Sequence, residues 1–481
     1  MTAHIRIPWR RTPAWPVALL WTLALGAWGI SRDGSLWRDE AATWQVALRD
    51  ASGIWHLLGQ VDAVHGLYYL LMHGLFECFG PSAVTLRLPS VIAMGVAAAC
   101  VAALGQRLAG YWAGLGGGLA FGLLPAVQFY LQEGRPYALV AAGAGISTLL
   151  LVQSADRRGR ARTWAAYGAV VLICALLNWL SLLILLAHLA TLMCVKAERI
   201  VWVRWGLAAA LATAGALPLI LFSRSQSAQV SWIPPLTWHM LIAPAIMLLI
   251  GSIGAWAARP RLGQLSLATV GLPLLAVPQV GLIVISLFQP LFLDRYILFS
   301  LLGLALLLGS TLAAAVQYSQ ARFPRASVFV VPLTLVVAVA ALLPQFLIKR
   351  APESRVDDVL AIAADVQRVK EAGDAVVYVP AARRDTALVS PRAFEGVQDI
   401  ALAVGPVESG TLKGLESSPE QIREAMLRQK RILLVTDAPG AARPVSARRD
   451  RAKAAVLKEH FAVVADEQVR GRRLTVYEKR D

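Results

Sequence analysis

The chain has 481 residues, of which 57% are hydrophobic and only 16% charged, and its mean hydropathy is +0.58. This composition excludes an ordinary soluble protein and predicts a polytopic α-helical membrane protein. The formal net charge of +16 would suggest nucleic acid for a soluble protein. Here the basic residues cluster in short loops between apolar runs, where membrane topology places them, so we expect a lipid bilayer and no nucleic acid as partner.

The first apolar run covers residues 14–30 and follows a basic flank at residues 4–11. No convincing small-residue cleavage site follows it, so we interpret it as an uncleaved anchor with a cytoplasmic N-terminus. Ten further apolar segments predict about eleven transmembrane helices in all. The predicted spans are 14–30, 84–104, 111–130, 137–153, 163–178, 180–195, 205–222, 237–257, 266–288, 296–317 and 327–347.

Two features of these spans carry further expectations. The stretch from Trp164 to Val195 would be about 48 Å long as one helix, well beyond the hydrocarbon core, so we predict two spans that turn near Asn178. The Gly-rich run at residues 114–118 predicts close helix packing within a span.

The distribution of charge predicts the orientation. Of the 22 Lys and Arg residues before residue 348, 15 fall in segments that this topology places in the cytoplasm, including 157–162 and 259–261, whereas eight of the ten acidic residues fall outside. An odd number of spans then places the tail outside the membrane. We therefore predict a multi-pass transmembrane domain at residues 1–348, with a first outer loop at 31–83, and an extracytoplasmic domain at 349–481.

An acidic pair, Asp39 and Glu40, follows the first span. Acids are scarce in the hydrophobic part of the chain, so the pair predicts either a catalytic carboxylate or a solvated acidic loop. Adjacent residues do not face one ligand from a regular helix, so we expect one acting group and one structural or metal-binding partner. His65, in the same loop, is interpreted as an interfacial histidine, a helix cap, or, with Glu40, a ligand of a divalent metal. Whether a metal cofactor is needed stays open.

Translocated loops normally avoid arginine, so three of the arginines on the predicted outer face need a specific explanation: Arg87, Arg135 and Arg295. Glu133 accompanies Arg135 in a tight turn, and Asp294 directly precedes Arg295. One interpretation is an ion pair that caps a helical hairpin. The other is a guanidinium that binds a phosphate at the membrane surface, with the neighbouring carboxylate fixing its direction.

The tail after residue 349 has balanced charge and short apolar runs that alternate with helical patterns. This alternation predicts a small α/β domain with a partly parallel sheet. No glycine-rich fingerprint follows a strand, so nothing indicates a nucleotide site. We expect the cationic residues 470–473 to form a solvated surface. The predicted strands are 375–379, 431–435, 461–464 and 473–477, and the predicted helices are 356–370 and 419–430.

Five motifs occur in order along the chain: Arg38-Asp39-Glu40-Ala41, His65-Gly66-Leu67-Tyr68-Tyr69, Leu86-Arg87-Leu88-Pro89-Ser90, Gln132-Glu133-Gly134-Arg135-Pro136-Tyr137 and Asp294-Arg295-Tyr296. In this order they resemble the motifs of bacterial GT-C glycosyltransferases, in particular the protein O-mannosyltransferase and aminoarabinose-transferase types, over about residues 10–347. The chain departs from the family at Gly66-Leu67, where members usually have two prolines after the histidine.

The resemblance implies an inverting glycosyltransferase at the outer face of the cell membrane. It would move a sugar, with mannose as the best guess and other hexoses or pentoses open, from a polyprenyl-phosphate donor to a glycan, lipid or protein acceptor. Asp39 would be the base, and Glu40 would orient the acceptor or bind a metal. Arg135 and Arg295, with Arg87, would stabilise the departing phosphate. The remaining predicted substrate-binding residues are His65, Tyr68, Glu133, Tyr137 and Asp294.

The alternative function is a transporter or flippase of an anionic lipid-linked substrate, which would also use outer-face arginines. That function predicts ionisable residues near the middle of the bilayer and repeat-related broken helices. The polar residues of this sequence concentrate instead at the predicted outer face, which favours the transferase.

The topology makes a direct prediction. A tag at the C-terminus should be accessible in intact spheroplasts, whereas a tag inserted at residues 157–162 should be labelled only after permeabilisation, because eleven spans put the two on opposite faces. Protection of the C-terminal tag in intact spheroplasts would mean that the number of spans is even.

Overall fold

The computed structural model describes residues 12–157, 160–226, 232–258, 263–441 and 447–480. The predicted basic flank at 4–11 and the predicted cytoplasmic residues Arg158, Arg259 and Arg261 lie outside this part of the chain. The helices are α1 (Trp15–Ala27), α2 (Arg38–Ala47), α3 (Ala51–Gln60), α4 (Gly66–Phe79), α5 (Ala83–Ala109), α6 (Tyr111–Leu123), α7 (Pro125–Tyr130), α8 (Tyr137–Arg157), α9 (Ala161–Leu177), α10 (Leu183–Cys194), α11 (Arg199–Ser225), α12 (Ile242–Ala257), α13 (Leu267–Phe288), α14 (Leu301–Arg322), α15 (Val330–Arg350), α16 (Val359–Val369), α17 (Asp385–Val389), α18 (Pro419–Leu427) and α19 (Arg448–His460).

Each of the eleven predicted spans coincides with helix in the structure. Four of them correspond to shorter helices, α1, α6, α9 and the segment Trp179–Cys194. A helical membrane protein is therefore confirmed, while eleven crossings stay a prediction. Within the described residues, seven helices are long and apolar enough to cross a membrane: Ala83–Ala109, Tyr137–Ala155, Arg199–Ser225, Trp238–Ala257, Leu267–Phe288, Asp294–Arg322 and Ser327–Arg350.

The chain breaks at Asn178, where the sequence predicted a turn. Asn178 has an extended backbone, and its side-chain oxygen accepts a hydrogen bond from the Leu180 backbone N–H at 3.2 Å, which caps the 3₁₀ helix Trp179–Leu182. A short polar side chain that bonds its own following backbone competes with helix continuation. Residues 161–194 therefore form separate helices rather than one.

The chain divides into two compact units. We call Met1–Trp28 with Arg87–Phe346 the bundle unit, and Gly29–Leu86 with Leu347–Asp481 the sheet unit. The first outer loop therefore packs with the tail, whereas the sequence analysis grouped it with the transmembrane residues. Hydrogen bonds explain the difference: the Val359 backbone N–H donates to the Leu36 carbonyl at 2.7 Å. Hydropathy does not reveal contacts between segments so far apart in sequence.

Close helix packing in the bundle unit involves the predicted Gly-rich run at 114–118. A Cβ added to Gly117 of α6 would lie 2.9 Å from the carbonyl oxygen of Ala305 in α14. Gly309 of α14 approaches the carbonyl oxygen of Ala113 more closely still. The backbones of the two helices can meet only because these positions carry no side chain, as predicted.

The helices of the first loop share a small apolar core. Val46 of α2, Ile54 and Leu57 of α3 and Tyr69 of α4 form it. Other large apolar side chains of the same loop are exposed, including Trp55. Exposed aromatic and aliphatic residues on short amphipathic helices are typical of elements that lie in a membrane interface.

The tail contains a five-stranded sheet with the order β2-β1-β5-β7-β6 and a separate pair, β3 and β4. β1 is parallel to β2 and β5, and β7 is antiparallel to β5 and β6. This arrangement confirms the predicted α/β domain with a partly parallel sheet. The strands are β1 (Ala375–Val379), β2 (Gln398–Asp399), β3 (Leu402–Val404), β4 (Leu415–Glu416), β5 (Arg431–Asp437), β6 (Phe461–Val469) and β7 (Arg472–Lys479).

Both faces of this sheet are covered, because successive strand residues point to opposite sides. On one face Val376 packs with Val366 of α16, and on the other Val377 packs with Ile422 of α18 and Val456 of α19. The predicted helices at 356–370 and 419–430 correspond to α16 and α18. α19 was not predicted, because its many charged residues hide the helical spacing of its few apolar ones.

Arg472 contradicts the expectation of a solvated surface at residues 470–473. Its side chain is fully buried, with Nη1 and Nη2 each 2.8 Å from an oxygen of Asp385. Arg473, the next residue of β7, instead pairs with Asp466 nearer the surface. Strand alternation turns the two arginines to opposite faces of the sheet, a distinction that composition does not make.

The two pairs should differ in their contribution to stability. We expect Asp385→Ala to lower the free energy of unfolding by about 3–5 kcal/mol, because it leaves a buried guanidinium without its bidentate partner. The matched change Asp466→Ala, in a pair whose side chains are both 39% exposed, should cost less than about 1 kcal/mol. Thermal unfolding of the purified variants measures both. Equal losses would contradict the assignment of Arg472 to the core.

Candidate functional site

The acidic pair lies in the first turn of α2, where carboxylates interact favourably with the helix dipole. Glu40 is fully buried, and its Oε1 lies 3.7 Å from Nη2 of Arg32, which is also inaccessible to solvent. Asp39 is only partly buried. Of the two acidic residues, only Asp39 keeps some exposure to solvent.

The N-terminus of α2 is fixed by the residue that precedes the acidic pair. The Arg38 backbone N–H donates to Oδ1 of Asp357 at 3.1 Å, and its Nε donates to Oδ2 at 2.9 Å. Nε of Arg472 donates to the same Oδ2, also at 2.9 Å. Burial raises the pKa of Asp357, but the charges of Arg472 and Arg38 outweigh burial and leave the pKa below its ordinary value. Asp357 is therefore an ionised link between α2 and the sheet.

The contacts continue into a larger set of ion pairs. Arg38 also reaches Oδ1 of Asp437 at 3.3 Å, and Arg383 binds the same oxygen through Nε at 2.6 Å. Asp385 lies between Arg472 at 2.8 Å and Nη1 of Arg383 at 3.8 Å. We call this set the aspartate–arginine network; its members are Arg38, Arg383, Arg472, Asp357, Asp385 and Asp437.

His65 belongs to a second polar group of the sheet unit. Its Nδ1 lies 3.2 Å from Oδ1 of Asp62, and the hydroxyl of Tyr69 donates to Oδ2 of the same carboxylate at 2.5 Å. A carboxylate only accepts hydrogen bonds, so Nδ1 is the donor of this contact, and in the neutral imidazole Nε2 then keeps a lone pair. This tautomer can accept a hydrogen bond from a hydroxyl group or bind a metal. Tyr68, on the same helix, is fully buried.

A metal site would need more ligands than Glu40 and His65 alone. Among the residues that the structure describes, no group of three or more His, Cys, Asp or Glu side chains is arranged to hold a metal ion. The two suggested ligands have protein partners, Arg32 for Glu40 and Asp62 for His65.

In the bundle unit, the predicted turn with Glu133 and Arg135 is held by backbone acceptors. Gln132 Nε2 donates to the carbonyls of Gly26 and Trp28 near the end of α1, at 2.9 and 2.7 Å. The Ser90 hydroxyl donates to the Glu133 carbonyl at 2.6 Å.

The charged residues near this turn lie in the interior. Glu133 and Arg135 are both buried, 2% and 9% exposed. Arg87 is fully buried one turn before Ser90 on α5, so it lies on the helix face that carries this contact. The protein therefore keeps three predicted substrate-binding charges out of bulk water.

A second predicted motif forms an aromatic cluster around Arg295. The Tyr130 hydroxyl donates to Oδ1 of Asp294 at 3.0 Å, and the same oxygen accepts the Arg295 backbone N–H at 2.8 Å. The Arg295 guanidinium lies over the rings of Trp232, Tyr137 and Tyr296, at 5.4, 5.8 and 5.9 Å. We call these residues the aromatic–arginine cluster: Tyr130, Tyr137, Trp232, Asp294, Arg295 and Tyr296.

This cluster joins two motifs that are far apart in the sequence. Tyr137 belongs to the motif at residues 132–137, whereas Asp294 and Arg295 belong to the motif at residues 294–296. The structure brings these three predicted residues together. A guanidinium that stacks on aromatic rings keeps its N–H donors in its own plane, so stacking orients the donors without consuming them. The arrangement suits recognition of a phosphate.

Several residues of the polar groups described above were not predicted as site residues. Tyr130 and Tyr296 adjoin the predicted motifs, and Asp62 lies three residues before His65, so spacing to a named residue was an available signal. Trp232 and Asp357 had no such signal, because each contributes through a contact with a residue far away in sequence.

No protein-family model matches this sequence, and no curated protein matches it either. Solved structures do match, over nearly the whole chain. ArnT from Cupriavidus metallidurans in the apo state superposes with a TM-score of 0.60 at 14% identity, covering 96% of this chain and 97% of that one. The same protein bound to undecaprenyl phosphate gives 0.55 at 12% identity, with the same coverage.

A third structure is more distant. The archaeal oligosaccharyltransferase AglB from Archaeoglobus fulgidus, in complex with an inhibitory peptide and a dolichol-phosphate, gives a TM-score of 0.51 at 10% identity, covering 88% of this chain and 69% of that one. These likenesses confirm the GT-C fold that the sequence motifs implied.

The geometry of the bundle unit predicts what replacement of its arginines should do. We expect Arg295→Ala to lower kcat/KM for a phosphate-linked donor by about one to two orders of magnitude, through loss of a charge-assisted contact of roughly 1.5–3 kcal/mol. Arg295→Lys should recover only part of this loss, because an ammonium lacks the guanidinium plane. Arg135→Ala should behave like Arg295→Ala.

The control is Arg224→Ala, which removes an exposed arginine at the end of α11. Donor kinetics and melting temperature are measured on the same preparations. If Arg135→Ala lowers the melting temperature sharply while donor kinetics stay normal, Arg135 has a structural role in the turn rather than a role in phosphate binding.

Proposed function

We propose that this protein is an inverting glycosyltransferase that moves a sugar from a polyprenyl-phosphate donor to an acceptor at the outer face of the cell membrane. The observation that carries the proposal is the division within the acidic pair, with Asp39 accessible at the start of α2 and Glu40 buried against Arg32. The GT-C fold, shared with an ArnT structure that contains undecaprenyl phosphate and an AglB structure that contains dolichol-phosphate, supports the donor class.

The reaction needs a base and a stabilised leaving group. An acceptor hydroxyl attacks the anomeric carbon, Asp39 takes the hydroxyl proton, and the bond between the anomeric carbon and the phosphate oxygen breaks. The bonding electrons leave with the polyprenyl phosphate, and single displacement inverts the anomeric centre. Glu40, paired with Arg32, holds the loop that carries Asp39.

Arginines would stabilise the phosphate as it leaves. In this proposal Arg295, oriented by its aromatic neighbours, and Arg135 bind the phosphate oxygens, and Arg87 adds positive charge. Asp294 fixes the backbone at Arg295 through its own hydrogen bond. Glu133 and Tyr137 shape the surroundings of the two phosphate-binding arginines.

His65 would contribute to substrate binding. Asp62 selects the tautomer with a lone pair on Nε2, which suits an acceptor of a hydrogen bond from a sugar or acceptor hydroxyl. The same lone pair would bind a divalent metal if the reaction uses one. Tyr68 lies in the first turn of α4, just after His65, and its side chain is fully buried.

The sugar and acceptor are proposed on the resemblance alone. Mannose is the first donor to test, followed by other hexoses and by pentoses, with glycan, lipid and protein fractions as acceptors. Membranes that contain the protein are incubated with a radiolabelled polyprenyl-phosphate sugar. Label in a new product supports the transferase, whereas label that moves across the bilayer unchanged supports the alternative transporter or flippase.

Substitution of the base gives the sharpest test of mechanism. We expect Asp39→Asn to lower kcat by at least about 10²-fold, because the amide keeps the shape of the carboxylate and loses its basicity. Donor binding and melting temperature should change little. The matched control is Asp33→Asn, the same chemical change at an exposed position in the same loop, where asparagine tolerates the positive φ of 52°. An Asp39→Asn enzyme within a few-fold of wild type would remove Asp39 from the role of base.

A further inference from the structure

We propose that the tail of this protein is part of the transfer machinery, because the aspartate–arginine network positions the first turn of α2 and therefore Asp39. The inference rests on the proposed function for the role of Asp39. It assigns Asp357, Asp385, Asp437, Arg383 and Arg472 as positioning residues, none of which touches the substrate.

The aspartate–arginine network contacts α2 at Arg38, the residue directly before Asp39. Arg38 is bound by its backbone N–H and by its guanidinium to a single carboxylate, Asp357, and its Nη2 reaches Asp437. A residue held through both backbone and side chain fixes the position and the direction of the helix start. Leu36, two residues before Arg38, also bonds to the tail, because its backbone N–H donates to Oδ1 of Asp358 at 3.4 Å.

The second layer of the network fixes these carboxylates in turn. Arg472 binds Asp357 on one side and Asp385 on the other, and Arg383 binds Asp437. Asp357 and Arg472 are both fully buried. Buried ion pairs of this kind add little net stability relative to apolar packing, because desolvation opposes their attraction. Their directional, bidentate contacts do restrict geometry.

A separate part of the tail contacts the first loop just after α2. Arg49, just after α2, donates through Nη2 to the Thr411 carbonyl at 2.7 Å. Leu412 packs on the core that α2, α3 and α4 share. Gly410 approaches His56 so closely that an added Cβ would lie 2.9 Å from the imidazole. The tail therefore contacts the loop before and after the helix that carries Asp39.

This attachment matters because catalysis by a positioned base is sensitive to small displacements. A misplacement of about 1 Å can lower a rate by about 10²-fold without any loss of binding. The proposed phosphate-binding arginines belong to the bundle unit and not to the network. A weakened network should therefore lower kcat while the KM for the donor stays nearly constant.

The test variant is Asp437→Asn, which preserves shape and weakens the contacts to Arg38 and Arg383. We expect kcat to fall at least about tenfold, with the donor KM within twofold of wild type. Hydrogen–deuterium exchange of residues 38–47 should become faster. The matched control is Asp466→Asn, in the surface pair with Arg473, which should leave kcat and exchange at residues 38–47 unchanged.

A double-mutant cycle tests whether Arg38 and Asp437 act together. If they do, Arg38→Gln combined with Asp437→Asn should lower kcat no further than the worse single variant, within about threefold. Arg38→Lys should recover part of the activity lost in Arg38→Gln. Losses that multiply in the double variant would overturn the inference. If Asp437→Asn yields little folded protein, Arg38→Lys compared with wild type tests the same contact by kinetics and exchange.

The readouts separate this inference from the proposed function. Exchange at residues 38–47 needs no activity, so it reports on the network even if the wild-type protein transfers no sugar, an outcome that would remove the proposed function alone. An active wild type, together with a folded Asp437→Asn variant that has normal kcat and normal exchange at residues 38–47, would overturn the positioning role of the tail.

Discussion

The carboxylate of Asp357 is the constraint on which the sheet unit depends. One oxygen accepts hydrogen bonds from both Arg38 and Arg472, so a single buried group joins the first outer loop to the first residue of β7. The two segments are separated in sequence by the whole of Arg87–Phe346. The contact between these two segments stabilises α2. A helix of ten residues would be too short to be stable alone in water.

In the bundle unit the corresponding feature is the guanidinium of Arg295, which lies among aromatic rings. A guanidinium near a bilayer loses hydration, which is costly unless protein groups take the place of water. The aromatic–arginine cluster stabilises Arg295 through the ring faces of Tyr137, Tyr296 and Trp232, which leaves its formal charge intact. Asp294 is engaged by the hydroxyl of Tyr130 and by a backbone N–H, so its charge is shared with neutral donors.

Sequence reasoning predicted those features that depend on local pattern. β1 was predicted with its observed bounds, because an apolar run between turns is a local signal. The rarity of acids beside apolar spans is a local signal too, and on that signal the role of Asp39 and Glu40 stays a prediction. Arg472 was assigned wrongly, since its burial depends on which face of β7 meets α17, and no local pattern encodes that. The packing of the first loop with the tail was missed for the same reason: the bonds from Leu36 and Arg38 reach partners more than 300 positions away.

The two members of the acidic pair differ in their surroundings. Glu40 is shielded from solvent and held by Arg32, whose positive φ of 51° is a conformation that residues other than glycine adopt at a cost. A backbone in that region persists only where other contacts determine it, and the Glu40 pair supplies one. A fully buried, paired carboxylate is poorly suited to take a proton from an acceptor hydroxyl, so the base that we propose is the partly exposed Asp39. In this proposal Glu40 maintains the turn at Arg32, and that turn leads directly into the helix that carries Asp39.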